Sequence, residues 1–495
     1  MDLQKRSDML AKAKKMLSDK SAVAELHKNG KQTAYELMNT LFDDGTFSEI
    51  GAYVKAYANE LGTADPAQYE GVVCGYGAVD GRLVFAYAQD ASRAGGTFSK
   101  AAAGKITSLY DLALKNGAPV VALLDSRGAV VTDGVEVLAG YGAVMSKSAA
   151  VKGKIPQLAL VLGTAVGASA VIASMADVTL ACDNASFSVT PANVLAAAGA
   201  TNKAGSAEYA YAEGYLADIA ATPDALLASA KAILSYLPSN KLDRNVYAGA
   251  EDDANRATPE IASITAKNDY DVHDVLASIA DGGTYKELTA GKAKALVTAF
   301  AFINGLPCGI IANNPKENAG KLTAGELRKA TQFASLCNAF ALPIINLVGT
   351  NGFDEHCEGH GGRVPELAAG LALAYAKAET PVITLYLGDA YGTALTLMGS
   401  KALGADLVYA LDSAKLGVLK PSSSVALMWS DRLAGSKTPL EKRKSLEEDW
   451  ELYNTTPLLA AASGQVDDII PAELVRAKLA SALEMLSMKS EFIKL

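Results

Sequence analysis

A chain of 495 residues has room for about two to four domains, each with ample core. It is 50% hydrophobic and 20% charged, as expected of a soluble globular enzyme, and its net charge of −9 argues against general nucleic-acid binding, which needs a basic footprint. Its five cysteines (Cys74, Cys182, Cys308, Cys337 and Cys357) show no CxxC spacing, so buried thiols in a reducing cytosol are expected rather than a zinc ribbon.

Residues 1–40 read as helical, with Leu and Met at helical spacing among many lysines, and the start MDLQKRSDMLAKAKKML has no apolar core of signal-peptide type. FDDGTFSEI at 42–50 is a turn entering a strand. GVVCGYGAVDGRLVFAYAQD at 71–90 is a hairpin turning at Asp80–Gly81. A helix at 105–117 and a buried strand in APVVALLDSRG (118–128) follow. Leu158 to Ala176 is 19 residues without a charge, close to a membrane span in length. Its Gly163, Thr164, Gly167, Ser169 and Ser174 favour a buried strand plus helix instead. Residues 195–275 have weaker patterning and are expected to be a helical excursion and linker.

The second half repeats the first. IADGGTYKEL at 279–288 answers FDDGTFSEI, and LVTAFAFINGLPCGIIANNP at 296–315 is a second hairpin, turning at Asn304–Gly305. A helix at 326–340 precedes the strand in ALPIINLVGTNG (341–352). His356 and His360 have a spacing that metals use, but the glycines around them do not support a helix that would align the rings. A polar loop is expected there, and no metal site. TPVITLYLGDAYGTALTLMGSKALGAD at 380–406 answers IPQLALVLGTAVGASAVIASMAD at 155–177. Residues 435–495 are expected to be helical, with KTPLEKRKSLEEDW as a solvated face.

Apolar runs bounded by Pro and Gly, alternating with helices, point to α/β halves with parallel strands built from crossover units. Each half opens two strand ends into glycine-containing turns: Asp125–Gly128 and Gly163–Ala168, then Gly349–Gly352 and Tyr391–Ala394. Such turns present backbone N–H groups at a helix start, suited to a carbonyl oxygen that gains negative charge. No G-x-G-x-x-G, Walker A or G-x-S-x-G motif is present, which weighs against nucleotide hydrolysis and a serine hydrolase.

GVVCGYGAVDGRLVFAYAQD, ALKNGAPVVALLDSRGA, DGVEVLAGYG, LVGTNGF, AYAKAETPVITLYLGDAYG and MGSKALGAD, taken in order over residues 30–435, resemble the carboxyltransferase subunits of biotin-dependent acyl-CoA carboxylases and decarboxylases. The resemblance implies two tandem crotonase-like ββα superhelix domains, 1–250 taking acyl-CoA and 251–495 taking biotin. It implies transfer of a carboxyl group between biotin and the α-carbon of an acyl-CoA, with one backbone oxyanion hole per half. Gly167 and Ala168 would hold the thioester oxygen, and Thr393 and Ala394 the biotin oxygen, with Gly392 allowing close approach. Ser126, Arg127 and Gly128 would line the acyl side, with Lys105 near CoA. Thr396 would shape the acyl pocket, and Gly361 and Gly362 would border biotin.

Against the family's usual glycine pairs, this chain has Arg127–Gly128, Gly167–Ala168–Ser169 and Gly392–Thr393–Ala394. Backbone donors survive these changes where φ is negative. No Ala-Met-Lys-Met biotin-attachment run is present, and Ser487-Met488-Lys489-Ser490 lies in an expected helical tail. The implied partners are therefore separate: a biotin carboxyl carrier protein, a biotin carboxylase or sodium-pump decarboxylase subunits, and copies of this chain in an oligomer built from dimers. The expected location is cytoplasmic, or peripheral to a membrane decarboxylase. Two other readings compete: a crotonase-type hydratase or isomerase, and a catalytically silent scaffold subunit.

Overall fold

Both hairpins form where the sequence marks them. Val72–Val79 pairs with Arg82–Gln89, and Leu296–Ile303 with Leu306–Asn313. Their two-residue turns have positive φ at both positions, 49° and 75° at Asp80–Gly81 and 53° and 71° at Asn304–Gly305. Asn, Asp and Gly tolerate that conformation, and its twist matches the strands. Each turn is closed by an aspartate from the duplicated entry run. Asp43 accepts the N–H groups of Asp80 and Gly81 at 3.1 and 2.9 Å, and Asp281 those of Asn304 and Gly305 at 2.9 and 2.7 Å.

The computed structural model describes residues 4–9, 20–55, 69–201, 203–243, 252–434 and 438–489. The chain divides into two units, Met1–Arg244 and Asn245–Leu495. The boundary expected at 250/251 lies outside the described residues.

The first unit holds a seven-stranded sheet in the order Ser48–Ile50, Val72–Val79, Arg82–Gln89, Val120–Leu124, Gln157–Val161, Val178–Cys182, Asp218–Ala220. The first three strands are antiparallel and the rest parallel. The second unit repeats this order with Tyr285–Leu288, the hairpin, Ile344–Thr350, Val382–Tyr391, Leu407–Leu411 and Asp468–Ile470. Val120–Leu124 and Gln157–Val161 are buried at every residue, which is why they read as unbroken apolar runs. Each buried Val or Leu side chain contributes about 1.5–3 kcal/mol.

Crossover helices begin at capping hydroxyls: Ser99 Oγ accepts the Ala102 N–H before Lys100–Asn116, and Thr323 with Glu326 forms a capping box before Ala324–Ala339. Each helix sends a buried lysine to its hairpin: Lys105 Nζ donates to Val72 O, and Lys329 Nζ to Leu296 O. Burial lowers the pKa of both, that of Lys329 to about 8.

Three expectations change. The region expected to be helix and linker contributes the strand Asp218–Ala220, in register with Leu180–Cys182. The helical tail contributes Asp468–Ile470, in register with Tyr409–Leu411. Both are three-residue edge strands, too short to show a period. The His356–His360 segment is not a loop but the short helix Glu355–Gly359, started by Asp354, which accepts the Cys357 N–H at 2.9 Å. One turn suffices to bring the two rings within 4.1 Å, their planes tilted by 39°. Lys489 is held by Asp406 at 2.7 Å and Thr380 O at 3.0 Å; Ser490 lies outside the described residues. Among the described residues no helix is long and apolar enough to cross a membrane.

Candidate functional site

The deeper glycine turns of the two units are built alike. In the first, Thr164–Val166 pairs in parallel with Ser186–Ser188, ending at Val166 opposite Ser188. In the second, the end of Val382–Tyr391 pairs with Lys415–Gly417, ending at Tyr391 opposite Gly417. The next residues are Gly167, with φ 69°, and Gly392, with φ 65°. Each turns its chain into a helix, Ala168–Met175 and Gly392–Leu397. A Cβ on Gly167 would meet Val189 O at 3.9 Å, and one on Gly392 would meet Val418 O at 3.5 Å. Glycine is therefore needed for the left-handed conformation rather than for space.

Gly167 N–H is spent on Ser188 O at 3.0 Å. Ala168 and Ser169 open the helix, where no earlier helical carbonyl can take their N–H groups. The equivalents of Ala168 and Ser169 are Thr393 and Ala394. None of these four has positive φ, so the departures from glycine keep the donor geometry. Thr393 is exposed and Ala394 buried.

The other pair of turns works differently from the sequence expectation. Ser126 N–H goes to Thr164 O at 2.9 Å, Arg127 N–H to Gly95 O at 3.1 Å and Gly128 N–H to Ser126 Oγ at 3.1 Å. Asn351 N–H goes to Ala319 O at 3.3 Å and Gly352 N–H to Thr350 Oγ1 at 3.3 Å. The N–H groups named are thus already bonded, and these turns offer side chains rather than those backbone donors. Arg127 is exposed, and its stem lies over Gly95, where a Cβ would sit 2.5 Å from Arg127 Cδ.

A family model described as the carboxyl transferase domain matches residues 25–495. This chain belongs to the carboxyl transferase family. It is 32% identical to the methylmalonyl-CoA decarboxylase subunit alpha of Propionigenium modestum, over 99% of this chain and 96% of that protein. It is 34% identical to the methylmalonyl-CoA carboxyltransferase 12S subunit of Propionibacterium freudenreichii subsp. shermanii, over 95% of this chain and 91% of that one. A transcarboxylase 12S crystal structure, a hexamer with methylmalonyl-coenzyme A and methylmalonic acid bound, matches with a TM-score of 0.92 at 32% identity, covering 98% of this chain and 95% of that chain. The expected fold class, two crotonase-like domains in tandem, is therefore the fold of this carboxyl transferase, and its enzyme class is that of these relatives.

Within this carboxyl transferase the remaining expected site residues are scattered. Lys105 is buried, and its ammonium donates to a hairpin carbonyl. Its second-unit counterpart Lys329 does the same, so the duplicated lysine braces helix to hairpin. Thr396 is exposed on the helix that Gly392 starts. Gly361, with φ 80°, and Gly362 follow the short helix Glu355–Gly359; a Cβ on Gly362 would lie 2.7 Å from Cys357 Sγ. Sequence reading gave no role to Tyr270, whose hydroxyl lies by Gly349 and Gly388, or to Asp389, the residue after Gly388 on the strand Val382–Tyr391. A charge in an otherwise apolar strand was the signal for Asp389; Tyr270 gave none.

Proposed function

We propose that this chain moves a carboxyl group between the α-carbon of an acyl-CoA and biotin carried on a separate protein. The supporting observation is the duplicated turn: Gly167 and Gly392, both left-handed, both leading into a helix whose first N–H groups have no helical acceptor. Breaking the bond to the departing carboxyl leaves an electron pair that moves onto the thioester oxygen as an enolate, and the α-carbon would then take the proton that the carboxyl-accepting nitrogen gives up. Ala168, with Ser169 beside it, is the donor for that oxygen, and Ser126, Arg127 and Gly128 border the acyl group. Thr393 and Ala394 are the donors for the ureido oxygen, with Gly361 and Gly362 on that side and Thr396 facing the acyl chain. Residues 1–250 would then be the acyl-CoA domain and 251–495 the biotin domain. Lys105 would stand near CoA, with one of its three ammonium N–H groups bonded to Val72 O.

Biotin fits the donor set. Neutral backbone N–H groups suit a urea carbonyl that gains charge, and they do not ionise near neutral pH. When bound, biotin supplies the nitrogen that accepts or yields the carboxyl group. The carrier, a biotin carboxylase or sodium-pump decarboxylase subunits, and a second copy of this chain are the proposed partners, in the cytoplasm or peripheral to a membrane decarboxylase.

The test is incubation of the pure chain with methylmalonyl-CoA and free biotin. Biotin-dependent formation of propionyl-CoA is expected. Hydration of crotonyl-CoA without biotin would favour a hydratase instead, and no binding of any CoA thioester would leave a silent scaffold.

A further inference from the structure

Two polar groups near the Gly392 turn have no partner among the described residues. Tyr270 is 5% exposed and belongs to the buried cluster that includes Val272, Ala312, Leu347 and Leu387, yet its hydroxyl makes no hydrogen bond. Glycine at 349 makes room for that hydroxyl, since a Cβ there would lie 2.3 Å from its oxygen. A Cβ on Gly388 would lie 3.9 Å from the same oxygen. Asp389 comes next on the strand Val382–Tyr391, three residues before Gly392. It is half-buried, and its carboxylate has no hydrogen bond or ion pair with a described residue.

The charged groups around Asp389 are Lys415, Glu451 and Lys420, with Tyr391 on the same strand. Lys415, its neighbour in register, is paired with Glu451 at 2.6 Å. Burial raises the pKa of Asp389. Burial, then the nearby Asp389 charge, raises that of Tyr270.

The first unit shows that the fold does not require this arrangement. Asp125 stands where the second unit has Gly349, and its carboxylate fills the space over Gly163, where a Cβ would lie 2.2 Å from Oδ1. That carboxylate is satisfied, by Lys31 at 2.6 Å and the Thr164 N–H at 3.0 Å. In the second unit the buried Tyr270 hydroxyl is left without a hydrogen bond, and the partly exposed Asp389 carboxylate has no described protein partner. Unpaired polar groups of this kind destabilise a fold, and they persist where a ligand completes them.

We propose that Asp389 and Tyr270 form a subsite of the second unit that takes an N–H of the cyclic urea whose carbonyl the Gly392 turn holds. A cyclic urea presents a carbonyl acceptor and N–H donors side by side. Backbone N–H groups match the first and can do nothing for the second. A carboxylate is the acceptor the N–H needs, and the tyrosine hydroxyl beside it can donate or accept. The assignment rests on the carboxyl-transfer reading and adds to it the contact that recognises the urea nitrogen.

The test uses Asp389→Leu and Tyr270→Phe in the full chain. Each should raise the KM for free biotin about tenfold, or about 1.4 kcal/mol. The KM for methylmalonyl-CoA should not move, and Tm should hold or rise, because an uncompensated polar group has gone. Equilibrium binding supplies a readout independent of turnover. Wild type should prefer ethyleneurea over N,N′-dimethylethyleneurea, which keeps the carbonyl and lacks both N–H groups, and Asp389→Leu should lose that preference. An unchanged biotin KM with an unchanged preference overturns the subsite. So does a fall of Tm in both variants with no change in preference, which would mark a structural pair. Wild type that converts no methylmalonyl-CoA in the presence of biotin would instead defeat the carboxyl-transfer reading, while the urea preference would still decide the pair.

Discussion

Arg476 Nη2 lies 2.6 Å from Asp281 Oδ1, and the arginine is fully buried. Its Nε donates to Asp253 O at 3.0 Å and its Nη1 to Ile279 O at 2.5 Å. Asp281 at the same time closes the second hairpin, so one carboxylate ties the tail helix Val475–Leu486 to the turn at Asn304–Gly305. In the first unit Asp43 closes the equivalent turn, and no described arginine pairs with it. Asp281→Ala leaves the buried Arg476 only Asp252, 3.4 Å from Nη2, as a carboxylate partner, and should cost up to about 3–5 kcal/mol. Asp43→Ala should cost only about 1–3 kcal/mol, for two turn N–H groups left without an acceptor. Urea denaturation of both variants checks the order, and equal losses would show that the arginine adds nothing.

Gly167→Ala and Gly392→Ala meet no close atom, yet each forces an L-residue into the left-handed region. A stability loss of about 1–2 kcal/mol is expected from that strain. Turnover should fall further, by about 100-fold or more, because relaxing φ swings the donor N–H groups away from the reacting oxygen. Steady-state kinetics beside a melting curve separate the two effects. Wild-type turnover in both variants would remove these turns from the site.

His273 sits between Glu287, 3.0 Å from Nε2, and Asp271, 2.5 Å from Nδ1. The hydrogen bond to Glu287 comes first in raising its pKa to about 9; burial opposes this, and Asp271 adds to the rise. The native state thus favours the protonated ring. The stabilisation is complete below about pH 6.5 and fades as pH rises through 9. Burial pushes the Asp271 pKa up, but bonds from Lys316 and His273 win and hold it at about 2, so its own contribution is lost only as pH falls below about 4. His273→Gln should lower Tm at pH 6 and matter little at pH 10. A Tm difference that does not shrink across that interval would refute the protonated pair.

Tyr375 donates to Asn346 Oδ1 at 2.6 Å, Asn346 Nδ2 to Thr384 Oγ1 at 3.1 Å, and Thr384 Oγ1 to Gly399 O at 2.5 Å. All three side chains are buried, and the chain of bonds ends just past the helix that Gly392 starts. Tyr375→Phe leaves Asn346 Oδ1 without its donor and should cost about 1–3 kcal/mol. Chemical denaturation reads that loss directly; a neutral result would mean the carbonyl has found another donor.

Thr396 is exposed on that same helix. Thr396→Val should change the ranking of acyl-CoAs by chain length more than it changes the best rate. A panel of acyl-CoA substrates measures this, and an unaltered ranking would take Thr396 out of the pocket.

Much of the architecture was readable because the chain repeats itself. Asp80–Gly81 and Asn304–Gly305 are strong local signals, as turn chemistry depends on the residues in the turn. The central strands were readable because burial on both faces leaves mostly apolar residues. Asp218–Ala220 and Asp468–Ile470 were not, since three residues at a sheet edge carry no period and pair only because a parallel neighbour is already in place. The bond from Lys105 to the hairpin was not legible, because a lysine looks the same in sequence whether its ammonium meets water or the Val72 carbonyl.

The candidate site divides in the same way. Local sequence determined that glycines stand at 167 and 392 and that helices follow them, because positive φ and helix starts are set by a few adjacent residues. Only the tertiary structure decided which N–H groups remain for a ligand. Ser126 to Gly128 look as open as Gly167 to Ser169 on paper, but their donors are taken by Thr164, Gly95 and the Ser126 hydroxyl, two of them on other segments of the chain. A hydrogen bond is a fact about two partners, and one stretch of sequence names only the first.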